Sequence, residues 1–111
     1  MAPRTDALQG TLTLLVFKAL DHGPRHGYAI AQHIHQTSHD LLRVEEGSLY
    51  PALRRLEQAG WVTSTWGVTE TRRKARVYAL TPAGRRQLDE EEARWHRLVQ
   101  GVRHVLRFGE P

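Results

Sequence analysis

Cysteine is absent from all 111 residues, which excludes disulfides, thiolate-bound zinc and thiol nucleophiles together. Long apolar runs are also missing. The longest, Leu12 to Leu20, is broken by Thr13 and Lys18 and falls far short of the roughly 20 residues a membrane helix needs. No charged start followed by a small-residue cleavage pattern marks a signal peptide, so a cytoplasmic protein with no membrane partner is expected. Nucleophile elbow, phosphate-binding loop and zinc-hydrolase helix are all wanting. The expectation is a protein that is not an enzyme and carries no cofactor.

What is present suits one small folded unit. Apolar residues make up 40% of the chain and no tract is of low complexity, so a core can form. A core this small is modestly stabilised, and pairing with a second copy would bury more apolar surface. Formal net charge is +4. The basic residues are unevenly spread: Arg72, Arg73, Lys74 and Arg76 crowd together, whereas Asp89, Glu90, Glu91 and Glu92 form an acidic run. A basic balance favours nucleic acid or anionic lipid as a partner without specifying a site.

Apolar spacing defines the elements. Leu8, Leu12, Leu15, Val16, Ala19 and Leu20 make one helical stripe, stopped by His22-Gly23-Pro24. A second helix is predicted from about Gly27, with Tyr28, Ile30, Ala31 and Ile34 as its apolar positions, fading at Thr37-Ser38. The third runs through Glu46-Gly47-Ser48-Leu49-Tyr50-Pro51-Ala52-Leu53-Arg54-Arg55-Leu56 and ends at Gly60. Here Ser48 is expected to cap the start and Pro51 to lie in the first turn. Leu49, Leu53 and Leu56 share one face; Ser48, Tyr50, Arg54, Arg55 and Gln58 share the other. Trp61 to Trp66 and Arg76 to Leu80 read as the arms of a hairpin with a basic loop, Gly67 to Ala75, between them. Thr81-Pro82 opens a last helix that Gly109 closes; over residues 82–108 it would be about 40 Å long.

Three helices, a hairpin and a long helix describe a mainly α chain with a small β-hairpin. The order is that of a winged helix-turn-helix DNA-binding domain, residues 1–81, followed by a dimerisation helix, residues 82–111. The sequence resembles the PadR family of bacterial transcriptional regulators, in its short branch with a single C-terminal helix. Four stretches carry the resemblance: Leu8-Gln9-Gly10-Thr11-Leu12; Gly23-Pro24-Arg25-His26-Gly27-Tyr28-Ala29-Ile30; Glu46 through Glu57; and Trp66-Gly67, Arg73-Lys74-Ala75-Arg76 and Tyr78-Ala79-Leu80-Thr81-Pro82-Ala83-Gly84-Arg85. Thr71 and Arg72 stand where many relatives have asparagine, which makes this wing more basic.

The resemblance implies a DNA-binding transcriptional regulator, a repressor released by a small-molecule effector, acting as a homodimer on a pseudo-palindromic operator. Its expected DNA contacts are Tyr28, Ser48, Leu49, Tyr50, Arg54 and Arg55, with Arg72, Arg73, Lys74 and Arg76 on the wing. Ser48 reads as cap, contact or both; Tyr28 and Tyr50 read as contacts or as packed rings. The expected dimer contacts are Leu88, Trp95, Leu98, Val99, Val102, Val105 and Leu106, a heptad-like row on the last helix. Trp95 doubles as a candidate stacking face for a small aromatic effector, beside its plainer reading as an interface anchor. His33, His35 and His39 lack a carboxylate to complete a metal set, so no metal is expected and a solvated helix face is the better reading. The alternative function is a winged-helix adaptor for protein contacts, against which the four wing cations argue.

Overall fold

The computed structural model describes residues 2–110, with side chains from residue 10 onward, so Leu8 of the first stripe lies outside the described side chains. Its elements are α1 (Ala2–Asp21), β1 (Arg25–His26), α2 (Gly27–Thr37), α3 (Glu46–Gln58), β2 (Val62–Val68), β3 (Lys74–Leu80) and α4 (Pro82–Leu106). The strands form one antiparallel sheet in the order β1-β3-β2. This is a winged helix with an added long helix, and the element order matches the sequence reading.

The core sits where α1, α2 and α3 meet one face of the sheet. Val16, Phe17, Ala19 and Leu20 from α1 are buried with Ile30 and Ile34 of α2 and with Leu49, Leu53 and Leu56 of α3. Val62, Tyr78 and Leu88 close it from β2, β3 and α4. Trp61 meets Phe17 edge to face, with centroids 6.0 Å apart, a geometry that sets the positive ring edge on the negative face. Among the described residues no helix is long and apolar enough to cross a membrane.

Several boundaries differ from expectation, each for a local reason. β1 pairs Arg25 with Tyr78 and His26 with Val77, turning the expected hairpin into a three-stranded sheet. Two residues are too few to show a strand period. His26 then caps α2, its Nδ1 accepting from the amide of Ala29 at 3.4 Å, while Arg25 donates from Nε to the carbonyl of Ala19 at 2.9 Å. α3 begins at Glu46, so Ser48 is not its cap and Pro51 lies in the second turn. The amides of Ser48 and Leu49 both bond the Glu45 carbonyl, at 3.0 and 2.9 Å, and Glu46 places negative charge at the positive helix end. The hairpin arms are longer than predicted and only Thr69 to Arg73 remain as loop, because Gly67 pairs with Ala75 and Val68 with Lys74 in register. His39 is off α2 altogether, with φ of 54°.

α4 starts where Thr81 predicts. Its Oγ1 accepts from the amide of Gly84 at 2.9 Å and donates to the carbonyl of Gly60 at 2.7 Å. Arg85 pairs with Asp21 and Lys18 with Glu92, so the first half of the helix lies along α1. Leu88 is 3% exposed and belongs to this core. That corrects its assignment to the dimer row: it is already covered by its own chain.

His33 is one of the titratable groups perturbed inside this framework. Burial holds His33 below its ordinary value, helped by the nearby Arg25 and His22 charges; the His22 ring lies 5.8 Å away. A lowered folded-state value favours the neutral ring, so the unfolded chain takes up the proton first as pH falls. The contribution is complete above the ordinary value of 6.5 and shrinks as pH drops below it. His33→Gln should therefore lose less stability than the parent between pH 6.5 and 5, measured by urea midpoints across that range. Parallel pH profiles would refute the assignment.

Candidate nucleic-acid interface

α3 turns Leu49, Ala52, Leu53 and Leu56 inward, and the 3.6-residue period then forces the rest outward. Ser48, Tyr50, Arg54 and Arg55 are all exposed. Leu49 is fully buried and packs in the core. It cannot meet DNA, which corrects its place among the expected contacts; it sits one position out of phase with the outward face.

Tyr28 projects at the start of α2, 57% exposed, and receives a 3.4 Å hydrogen bond from Gln32 one turn later. The ring of Tyr50 crosses directly over Gly27: a Cβ there would lie 2.7 Å from the phenol. Tyr50 is thus packed along one edge and open along the other, as both of its sequence readings allowed. Burial, with Glu46 nearby, raises its hydroxyl above the usual value and keeps it protonated as a donor.

The hairpin faces these groups across a cleft of about 760 Å³. Tyr28, Gln32 and Tyr50 line one wall; Trp66, Arg73 and Arg76 line the other. Its tip is braced by its own threonine: Thr69 exchanges backbone bonds with Arg72 and Arg73, and its hydroxyl accepts from the Arg73 amide at 3.2 Å. Arg72 adopts a φ of 62° to complete the turn. Arg72, Arg73 and Lys74 are exposed and form no ion pair among the described residues, although Glu70 lines the same cleft.

Arg76 differs. Although exposed, it donates from Nη1 to Ser64 at 3.0 Å and lies over the Trp66 ring at 4.9 Å. Ser64 in turn donates to Glu57 of α3 at 2.6 Å. Trp66, Gln32, Ser64 and Glu57 do not stand out in the sequence as contacts. For Gln32 the i+4 spacing from Tyr28 is a usable signal, whereas Ser64 and Trp66 need the strand register.

A second surface lies on α4. Trp95, Leu98, Val102, Val105 and Leu106 are between 40% and 75% exposed. With Val99, which is half-buried, they continue along the helix beyond the domain that covers Leu88. Part of the row, from Trp95 to Leu106, borders a shallow groove of about 480 Å³ flanked by Arg103 and Arg107.

Comparison with known proteins agrees with this architecture. The profile of the transcriptional regulator PadR-like family matches residues 16–90. A PadR family transcriptional regulator from Eggerthella lenta is 33% identical and superposes with a TM-score of 0.78, covering 97% of this chain and 93% of that one. A transcriptional regulator from Clostridium thermocellum gives the same TM-score at 28% identity, over 95% and 96% of the two chains. Transcriptional regulator Rv3488 of Mycobacterium tuberculosis is 43% identical over 60 residues, which is 54% of this chain and 55% of that protein.

Proposed function

The chain belongs to the transcriptional regulator PadR-like family, and from that premise we propose that it is a sequence-specific DNA-binding repressor. The observation that carries this reading is the pairing of two surfaces across one cleft. On one side α3 presents Tyr50 into the cleft, with Ser48 and Arg54 exposed on the same helix; on the other the hairpin presents Arg73 and Lys74 into it, with Arg72 exposed beside them, and none of the three is in an ion pair among the described residues. A helix of this width enters the major groove, where base edges differ in donors and acceptors, and the adjacent cations meet the phosphates. Arg54 is the side chain suited to a bidentate base contact, and Arg55 and Tyr28 to the backbone.

The protein acts as a homodimer through α4 and reads a pseudo-palindromic site, each half-site facing one α3. Release is by a small aromatic effector that stacks on Trp95, the exposed indole bordering the α4 groove. In a Trp61→Phe/Trp66→Phe background, a compound that frees DNA should change Trp95 emission; release with unchanged emission excludes the stacking role.

The DNA surface is checked by substitution. Arg73→Ala/Lys74→Ala should weaken binding alike for all duplexes and lower the salt dependence by about 0.9 log units for each phosphate no longer neutralised. Arg54→Ala should cost about 1–3 kcal/mol at the operator and relax its preference at one base pair. The operator itself comes from genome-wide footprinting with the purified protein. Undiminished operator affinity in the triple variant would overturn the assignment.

A further inference from the structure

The hairpin is tied to α3, the helix assigned above to the major groove, by a polar chain. Glu57 on α3 accepts a 2.6 Å hydrogen bond from Ser64 on β2. Ser64 accepts one of 3.0 Å from Nη1 of Arg76 on β3. Beneath it the pairing of β2 with β3 sets Trp66 directly opposite Arg76, and the guanidinium lies over the indole at 4.9 Å. Trp66 is 67% exposed and borders the same cleft as Arg76.

An exposed arginine normally samples many rotamers, and that freedom disappears on binding an anion. Here two independent contacts fix the guanidinium before any ligand arrives. Its remaining nitrogen donors have no protein partner among the described residues. A planar fork held in place beside the recognition helix suits two phosphate oxygens. The carboxylate of Glu57 lies behind it, and on charge alone its presence on a DNA-facing module is unfavourable.

We propose that Glu57, Ser64 and Trp66 are positioning residues that hold Arg76 as a preset phosphate fork, so that the inner face of the hairpin grips the DNA backbone as well as its tip. The assignment rests on the DNA-binding reading above. It extends that reading from loose tip cations to a rigid contact whose placement is fixed by α3 itself, and it gives a reason for an acidic side chain at this surface.

The test is fluorescence anisotropy on a mixed-sequence DNA duplex, titrated over a range of salt, with the whole protein and with folding checked by circular dichroism. Arg76→Ala should lower the salt slope by about 0.9. Ser64→Ala and Glu57→Ala should each weaken binding by roughly threefold to tenfold, the scale of part of one charge-assisted bond. For Glu57→Ala that direction is opposite to the effect of removing a negative charge. Ser64→Thr, which keeps the hydroxyl, should bind like the parent, and Ser64→Ala/Arg76→Ala should bind no more weakly than Arg76→Ala. Tighter binding by Glu57→Ala, or additive losses in the double variant, would overturn the positioning role. If Arg73→Ala/Lys74→Ala weakens binding while the relay variants do not, this inference fails and the DNA reading stands; if the parent itself does not bind the duplex, the DNA reading fails.

Discussion

Gly84→Ala should be the most damaging single-atom change in the protein. A Cβ at this position would lie 2.0 Å from the carbonyl oxygen of Trp61 and 2.9 Å from its carbonyl carbon. Both are backbone atoms, so no side chain can swing aside. The same carbonyl accepts from the amide of Thr81 at 3.1 Å, and Thr81 also reaches Gly60, which pins the segment on both sides. Relief requires the first turn of α4 to lift from the sheet, exposing Leu88 and straining the pairs of Arg85 with Asp21 and Lys18 with Glu92. Losses of this type reach about 4–5 kcal/mol, a large share of what a small domain has. The expected result is a melting temperature lower by about 15 °C or more. At Gly10, where a Cβ meets nothing within 4 Å among the described residues, alanine should instead stabilise by about 0.5–1 kcal/mol. Equal melting of Gly84→Ala and parent would show that α4 can re-seat without this contact.

The fold is legible in the sequence where one residue decides a local outcome. Pro24 stops a helix by lacking a donor, and Thr81-Pro82 starts one with a cap and a preset φ; both do so in the structure. Stripes of Val16, Ala19 and Leu20, and of Leu49, Leu53 and Leu56, face inward as their period requires. What the sequence hides depends on partners distant along the chain. β1 exists only because β3 is there to pair with it, and Gly67 and Lys74 are strand residues only by register. Ser48 resembles a cap by type, yet the Glu45 carbonyl collects the first helical amides.

The candidate site divides in the same way. The outward positions of α3 and the tip cations follow from periodicity and charge, and the structure brings Tyr50, Arg73 and Lys74 to one cleft, while Ser48, Arg54 and Arg72 are exposed outside its lining. Leu49 and Leu88 are expected at surfaces although each lies on an inward phase. Arg76 groups in sequence with its basic neighbours, but its place within β3, in register with Trp66, separates it from the loop and gives it Trp66 and Ser64 as partners. Charge clustering in sequence says how many cations a hairpin carries, not which of them are free.

Leu98→Asp should convert the protein to monomers without unfolding it. Past Leu88 the apolar row of α4 has no covering element among the described residues: Leu98 is 58% exposed, Val105 74% and Leu106 75%, with Trp95 and Val102 completing the face. So long an exposed stripe on one helix calls for a partner, and the same face of a second copy is self-complementary under a twofold axis. Because Leu98 is outside the core cluster, placing a charge there spares the fold. Two carboxylates facing each other across the axis would forfeit apolar burial and repel. Sedimentation at micromolar concentration should show the parent as a dimer and the variant as a monomer with unchanged circular dichroism. DNA affinity should fall with it, by roughly 10²–10⁴, because the second half-site is no longer reached at high effective concentration. The salt slope should drop by about half, since each protomer brings its own phosphate contacts. A variant that stays dimeric, or a monomer that still binds the operator as tightly as the parent, would place the dimer contact elsewhere.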